Sequence, residues 1–264
     1  MTLFPSIGVP TPVAPLEALS RDLFDLDFAS VEWSPDSGGF VSASGQVGTF
    51  ARGATLGSVI DVNGEPYTAV NAQPAWEQRD WDADAVRESF GLRMGSADKL
   101  AFPVTFLWPA GGMSGLLEFI ETGAVTNTGS TVLALARDDG TGNGFYIAAH
   151  SSGRYEARYA RTTAPFTGSV AAVLSSAPTV NDRVQLTWEI TAAGGLSFHQ
   201  SLNGGVRTSV TAAGTLAPPA ALEPTTSIHI GGRGPAASLP AQGWYRRVRV
   251  VAGSLNHDVI AERR

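Results

Sequence analysis

The sequence predicts an all-β protein, an antiparallel sandwich or jelly roll, on three observations. Apolar and polar residues alternate in short runs, so that one side of each run suits a core and the other suits water. Reversals rich in Gly, Asn and Ser punctuate these runs at short, even spacing from residue 89 onward. Helical periodicity is scarce, which argues against alternating βα units. With 264 residues the chain can bury roughly 70–75 % of its unfolded surface, enough for a large sandwich without staples. It has no cysteine, so it neither needs an oxidising compartment nor argues against one.

The clearest element is a hairpin over residues 181–205. Val184, Leu186, Trp188 and Ile190 alternate with Arg183, Gln185, Thr187 and Glu189, and Leu196, Phe198 and Leu202 resume the apolar parity after Gly194-Gly195. Asn203-Gly204 marks a second reversal, into a run containing Val206, Thr208 and Val210. The apolar set, with Phe106, is the expected core.

In chain order, residues 1–30 come first. Pro5, Pro10, Pro12 and Pro15 favour an extended arm, followed by a turn of helix over residues 16–23. With little core of its own the arm is either disordered or docked on another molecule; Leu3, Phe4, Ile7 and Val9 favour docking, and fully extended it reaches roughly 100 Å. Residues 31–88 form a β-rich elaboration with short strands at Phe40-Val41 and over residues 47–50, 58–62 and 67–70. Residues 89–264 carry the regular sheet signal. Phe90, Leu92 and Met94 share one parity, as do Phe102, Val104, Phe106 and Trp108. Residues 115–121 and 131–137 read as strands. Phe145, Ile147 and Ala149 then turn through Ser151-Ser152-Gly153 into Tyr155, Ala157 and Tyr159, and runs at 169–174, 227–230 and 244–251 complete the set.

Charge and composition exclude several functions. A net charge of −6 does not suit a general grip on nucleic acid, which needs a concentrated positive field. No apolar run is long enough to span a membrane as a helix, and the first residues lack a signal peptide's basic and apolar regions, so a soluble product not exported by that route is expected. The single lysine, Lys99, against seventeen arginines reads as an imprint of base composition.

Five stretches together carry a resemblance: "SFGLRMGSADKLAFPVTFLWP", "LARDDGTGNGFYIAAHSSGRYEARY", "DRVQLTWEITAAGGLSFHQSLNGG", "SIHIGGRG" and "GWYRRVRVVAGSLNHDVI". Their succession, over residues 89–260, resembles the laminin-G-like, concanavalin A-like jelly roll. Residues 48–95, with Phe50 and Arg52, then Ile60, Asp61, Asn63 and Gly64, then Pro74, Trp76, Asp80 and Gly91-Leu92, are similar to a region that precedes such jelly rolls in tailed-bacteriophage virion proteins. The chain departs from that pattern after Met94, where an acidic residue and an Arg-Thr-Asn run would follow. The resemblance implies a concanavalin A-like fold and a structural or adhesive role in a virion, as decoration, fibre or tail. A homo-oligomer is expected, meeting other virion proteins through the N-terminal arm, whose prolines reduce the entropy lost on ordering and whose apolar residues have no obvious place in the sandwich.

Folds of that kind also carry glycoside hydrolases, so the residues that such chemistry needs decide between catalysis and binding. Retaining glycosidases need two carboxylates about 5 Å apart, and the relevant Glu-x-Asp-x-Glu run is missing; the nearest pattern, Asp80, Asp82 and Asp84, reads as a solvated turn. Motifs for a metalloprotease, a phosphate loop or a nucleophile elbow are missing too, so no enzyme is expected. Trp76, Trp81 and Trp244 are candidate stacking platforms for a surface glycan, with burial as the competing reading. Asp138, Asp139 and Asn143, with Thr141, lie in a Gly-rich connection whose hard oxygens suit calcium, the one cofactor considered; an ordinary Asp-Gly turn is the alternative. His150, His199, His229 and His257 read as scattered outward residues. Arg246, Arg247 and Arg249 read as a solvated face partnered by Glu189.

Overall fold

The computed structural model describes residues 22–27, 31–34, 39–42, 58–60, 66–68, 75–80, 88–94, 100–102, 107–123, 130–136, 144–161, 168–215, 227–232, 241–253, 257 and 260. Two antiparallel sheets pack face to face, the all-β sandwich that the alternation predicts.

The first sheet is built on the predicted hairpin. Strands β14 (Arg183–Thr191) and β15 (Gly195–Leu202) pair with Trp188 opposite Phe198, and β16 (Thr208–Thr215) follows as an edge. Asn203 and Gly204 both take positive φ, 54° and 73°, as a two-residue turn matched to strand twist requires. On the other side of β14 lie β9 (Gly112–Glu121), then β18 (Gly243–Ala252), β7 (Glu88–Met94) and β6 (Ala75–Asp80).

The eighth strand is β1 (Asp22–Asp27), which pairs with Arg247–Val251 of β18 while β7 pairs with Gly243–Tyr245 on the same edge. This places the end of the expected arm inside the sandwich, because Phe24 is fully buried in the core; of the helical turn expected over residues 16–23, only Asp22 and Leu23 are described, and both lie in β1. Pairing with a long neighbour decided the matter over local propensity. Residues 1–21, which hold the four prolines and the apolar docking residues, lie outside the described residues.

The second sheet runs β13 (Gly168–Val173), β12 (Tyr155–Arg161), β11 (Gly144–Ala149), β10 (Thr131–Ala136), β17 (Ser227–Ile230) and β8 (Leu100–Phe102). Two small hairpins, β2 (Val31–Ser34) with β3 (Gly39–Ser42) and β4 (Ser58–Ile60) with β5 (Pro66–Thr68), belong to the predicted elaboration. Residues 47–50 are outside the described set. Of the run expected from Phe102 to Trp108, Phe102 lies in β8, residues 103–106 lie outside the described residues, and Trp108 is in irregular chain and buried.

Between the sheets lie Val184, Leu186, Trp188, Ile190, Leu196 and Phe198 from the hairpin, facing Phe145, Ile147, Tyr159 and Val170. Trp188 stacks on Phe145 with ring centroids 5.1 Å apart. Its ring also lies over Gly115 of β9, where a Cβ would come within 1.9 Å of the indole. Phe106 is a core expectation whose side chain lies outside the described residues.

Candidate functional site: the polar face and the buried carboxyl group

The outer face of the eight-stranded sheet gathers polar residues in rows set by strand register. One row runs Arg249, Leu116, Thr187, His199 and Ser209 across β18, β9, β14, β15 and β16. The next holds Arg247, Glu118, Gln185 and Ser201, and a third holds Val251, Ser114, Glu189, Ser197 and Thr211. A register shift between Tyr245 and Arg247 inserts Arg246 as an extra residue in β18. Such a bulge re-aims a side chain, and here the Arg246 guanidinium reaches the Glu118 carboxylate at 2.5 Å. Gln185 Nε2 donates to the other Glu118 oxygen at 3.0 Å.

This face is buried where a solvated one was expected. Glu118 is 1 % exposed, and Arg246, Arg247 and Arg249 are 8 %, 5 % and 5 %. Glu118 is an ion-pair partner of Arg246 that the sequence reading, which looks to Glu189, does not single out. Ile260 packs on Leu116 and Val251 in a small cluster outside the main core. The His257 ring meets His199, with centroids 4.4 Å apart, and His199 Nδ1 shares a hydrogen bond with Ser209 Oγ at 2.8 Å. Two of the four histidines thus come together, and His229 is buried in β17 rather than outward. The signal for a covered face was in the strands themselves. Leu116 and Ile120 lie on the opposite parity from Leu117 and Phe119, and an apolar run on both parities marks burial on both sides.

A second polar group lies inside the sandwich. Glu121 shares the inward parity of Leu117 and Phe119, and is 3 % exposed. Tyr155 Oη, from the facing sheet, donates to Glu121 Oε2, and the Gly123 amide donates to Oε1 at 3.3 Å. Burial pushes the Glu121 carboxyl up to about 7, against those two hydrogen bonds. Burial, with Glu121 nearby, also raises the Tyr155 and Tyr245 phenols well above their ordinary range. Tyr245 Oη is buried without a hydrogen-bond partner among the described residues. Phe119 stacks on Tyr245 and meets Tyr155 edge-on, which joins the two phenols beside the carboxyl group into one aromatic cluster. The backbone of Glu121 is tied to the turn before β14 through Asn181 and Asp182. Hydrogen bonds from Thr179 and Asn203 hold the Asp182 carboxyl below its usual range, although burial works against them.

The expected glycan platform does not form around Trp244. That indole is fully buried against Ile120 and offers no face to a sugar ring. Trp76 occupies β6 opposite Leu92, with a side chain outside the described residues, as is the whole of Trp81. Asp138, Asp139, Thr141 and Asn143 lie outside the described residues too. Among those described, no three His, Asp or Glu side chains group to hold a metal. Asp80 ends β6 opposite Glu88, and Asp82 and Asp84 are outside the description.

Glu118 and Glu189 are the carboxylates described on the outer face. Gln185 faces Glu118 across the β9–β14 ladder and Glu189 lies four residues further along, so the Cα atoms of the two glutamates stand about 14 Å apart at the usual strand rise and spacing. Retaining glycosidases need about 5 Å and inverting ones about 6.5–9.5 Å.

These features define an antiparallel two-sheet sandwich with a covered polar face. No protein-family model matches the sequence, and no curated protein matches it in sequence. Solved structures share the fold. The chain is similar to the enzymatically active domain of tailspike protein 2 of bacteriophage CBA120, with a TM-score of 0.54 and 14 % identity over 84 % of this chain and 32 % of that one. A GH54 α-L-arabinofuranosidase gives 0.51 and 15 % over 93 % and 58 %, respectively. The botulinum neurotoxin serotype G binding domain gives 0.50 and 10 % over 91 % and 50 %. The chain spans less than two thirds of each of these structures, and at such identities the likeness is one of fold.

Proposed function

We propose that the chain is a non-catalytic structural or adhesive module of a tailed-phage particle, placed there as decoration, fibre or tail. The observation that carries the non-catalytic part is the state of Glu118, a buried carboxylate held by Arg246 and Gln185. A general acid or nucleophile has to meet substrate, whereas this group ties β9, β14 and β18 together. The virion part rests on the resemblance of residues 48–95 and 89–260, and the fold is shared with a phage tailspike domain.

Recognition of a surface glycan is the second reading, and the β15–β16 end of the same outer face favours it. Ser197, His199, Ser201, Ser209 and Thr211 are half-buried or exposed there and present hydroxyl and imidazole groups. The non-catalytic reading is tested by incubating the purified protein with a panel of bacterial surface polysaccharides. No reducing ends should be released, by the native chain or by one carrying Asp80→Asn, Asp82→Asn and Asp84→Asn together. Release that the triple substitution abolishes would make the protein an enzyme.

A further inference from the structure

The two sheets end together on one side of the sandwich. β16 is the last strand of the larger sheet and β13 the last of the smaller, and the two are in contact. Their sequences, Thr-Ser-Val-Thr-Ala-Ala-Gly-Thr and Gly-Ser-Val-Ala-Ala-Val, hold no charged residue and no proline. At the far edges the pattern is the reverse. β6 carries Glu77, Arg79 and Asp80, and β8 is three residues long, directly after Lys99. An edge strand offers a row of unpaired backbone groups to any other chain, and proteins guard such rows with charge, proline or shortness. β6 is guarded by charge along its length and β8 by its shortness; β16 and β13 carry no charge within the strand, and Arg207 stands directly before β16.

The open side is also where the core thins. Val210 and Ala212 are only partly buried against the core, and Ser209, Thr211, Ala213 and Thr215 are exposed on the other face. Among the described residues no strand pairs with the free side of β16 or of β13. A register shift in the second half of β16 leaves Thr208–Thr211 as its regular stretch.

We propose that this side of the sandwich joins two copies of the chain, with β16 of one running antiparallel to β16 of the other about a two-fold axis. A two-fold contact needs a single self-complementary patch. An axis perpendicular to the sheet keeps like faces on like sides, so the half-buried row holding Val210 and Ala212 continues from one copy into the next. Charge favours a second copy over a charged partner. Two molecules of net charge −6 repel over most of their surfaces and meet here at strands that hold no carboxylate, with Arg207 at the start of β16, so a basic partner would find no acidic group in these strands to hold. The contact is independent of the role proposed above.

Sedimentation velocity across a concentration series, with hydrogen exchange on the same samples, tests it. The native chain should sediment as a dimer, and amides of Thr208–Thr215 should lose protection as dilution dissociates it. Ser209→Lys with Thr211→Lys sets like charges facing each other across the axis and should give a monomer with native circular dichroism. Ser209→Ala with Thr211→Ala removes the same hydrogen bonds to His199 and Ser197 without adding charge and should stay dimeric. A native chain that is monomeric at the highest concentration would overturn the proposal. So would an assembly that survives the lysine pair, or dilution-sensitive protection that lies outside β16 and β13.

Discussion

Glu121 places an ionisable group where water does not reach, and its consequence is a pH-dependent fold. Its folded-state value of about 7 lies above the ordinary 4.5, so the native state binds the proton more tightly than the unfolded chain does. Stability is then greatest below about pH 4.5 as far as this group is concerned, and is lost as pH rises through 7. The difference corresponds to about 3 kcal/mol. Denaturant midpoints taken at pH 5 and pH 8 should therefore diverge in the native chain and converge in Glu121→Gln, which keeps the shape but cannot ionise. An unchanged pH dependence in that variant would remove Glu121 as the cause. The group was legible only in part. Alternation along Leu117, Phe119 and Glu121 points the carboxyl inward, but its tyrosine partner comes from the facing sheet, which no local pattern announces.

Among elements, β9 and β14 show how closely the sheets are fitted. Gly115 lies beneath the Trp188 indole with no room for a methyl group, and neither residue can shift freely between Phe145 and the β9–β14 ladder. Overpacking a core costs typically 1–3 kcal/mol, and Gly115→Ala should reach at least that, read as a lowered thermal midpoint. Gly204→Ala meets no atom within 4 Å and should lose only what its positive φ requires, so the smaller effect belongs there. A Gly115→Ala protein as stable as the native one would contradict this packing. The hairpin β14–β15 was legible because it is half-buried, and such a strand writes its burial as strict alternation. β18 was not. Its bulge puts Arg246 and Arg247 in succession toward one side, and a covered arginine face reads like a solvated one until its cover is known. The buried Trp244 misled for a related reason, since an indole serves a sugar or a core equally well in sequence.

For the whole molecule, the N-terminal boundary decides what any arm can do. β1 adds Phe24 to the core and extends the edge of β18, so a chain beginning at residue 31 loses part of the sandwich. Removal of a buried phenylalanine alone costs roughly 3–5 kcal/mol. That truncation should melt well below the full chain, and one beginning at residue 22 should melt with it. Equal midpoints for the two truncations would mean that β1 adds nothing to the fold. The sandwich itself was legible from alternation and turn residues, while β1 followed a proline-rich stretch that reads as extended chain and gains its strand from a distant partner.

If residues before β1 tie the chain to a particle, the shorter truncation should fold and still fail to attach. The most direct test of the virion role is to look for the chain in the particle. Phage particles purified from cells that encode it should contain the protein by mass spectrometry and carry antibody-gold label at a constant position. Its absence from particles, with the protein recovered only from the surrounding lysate, would contradict the account.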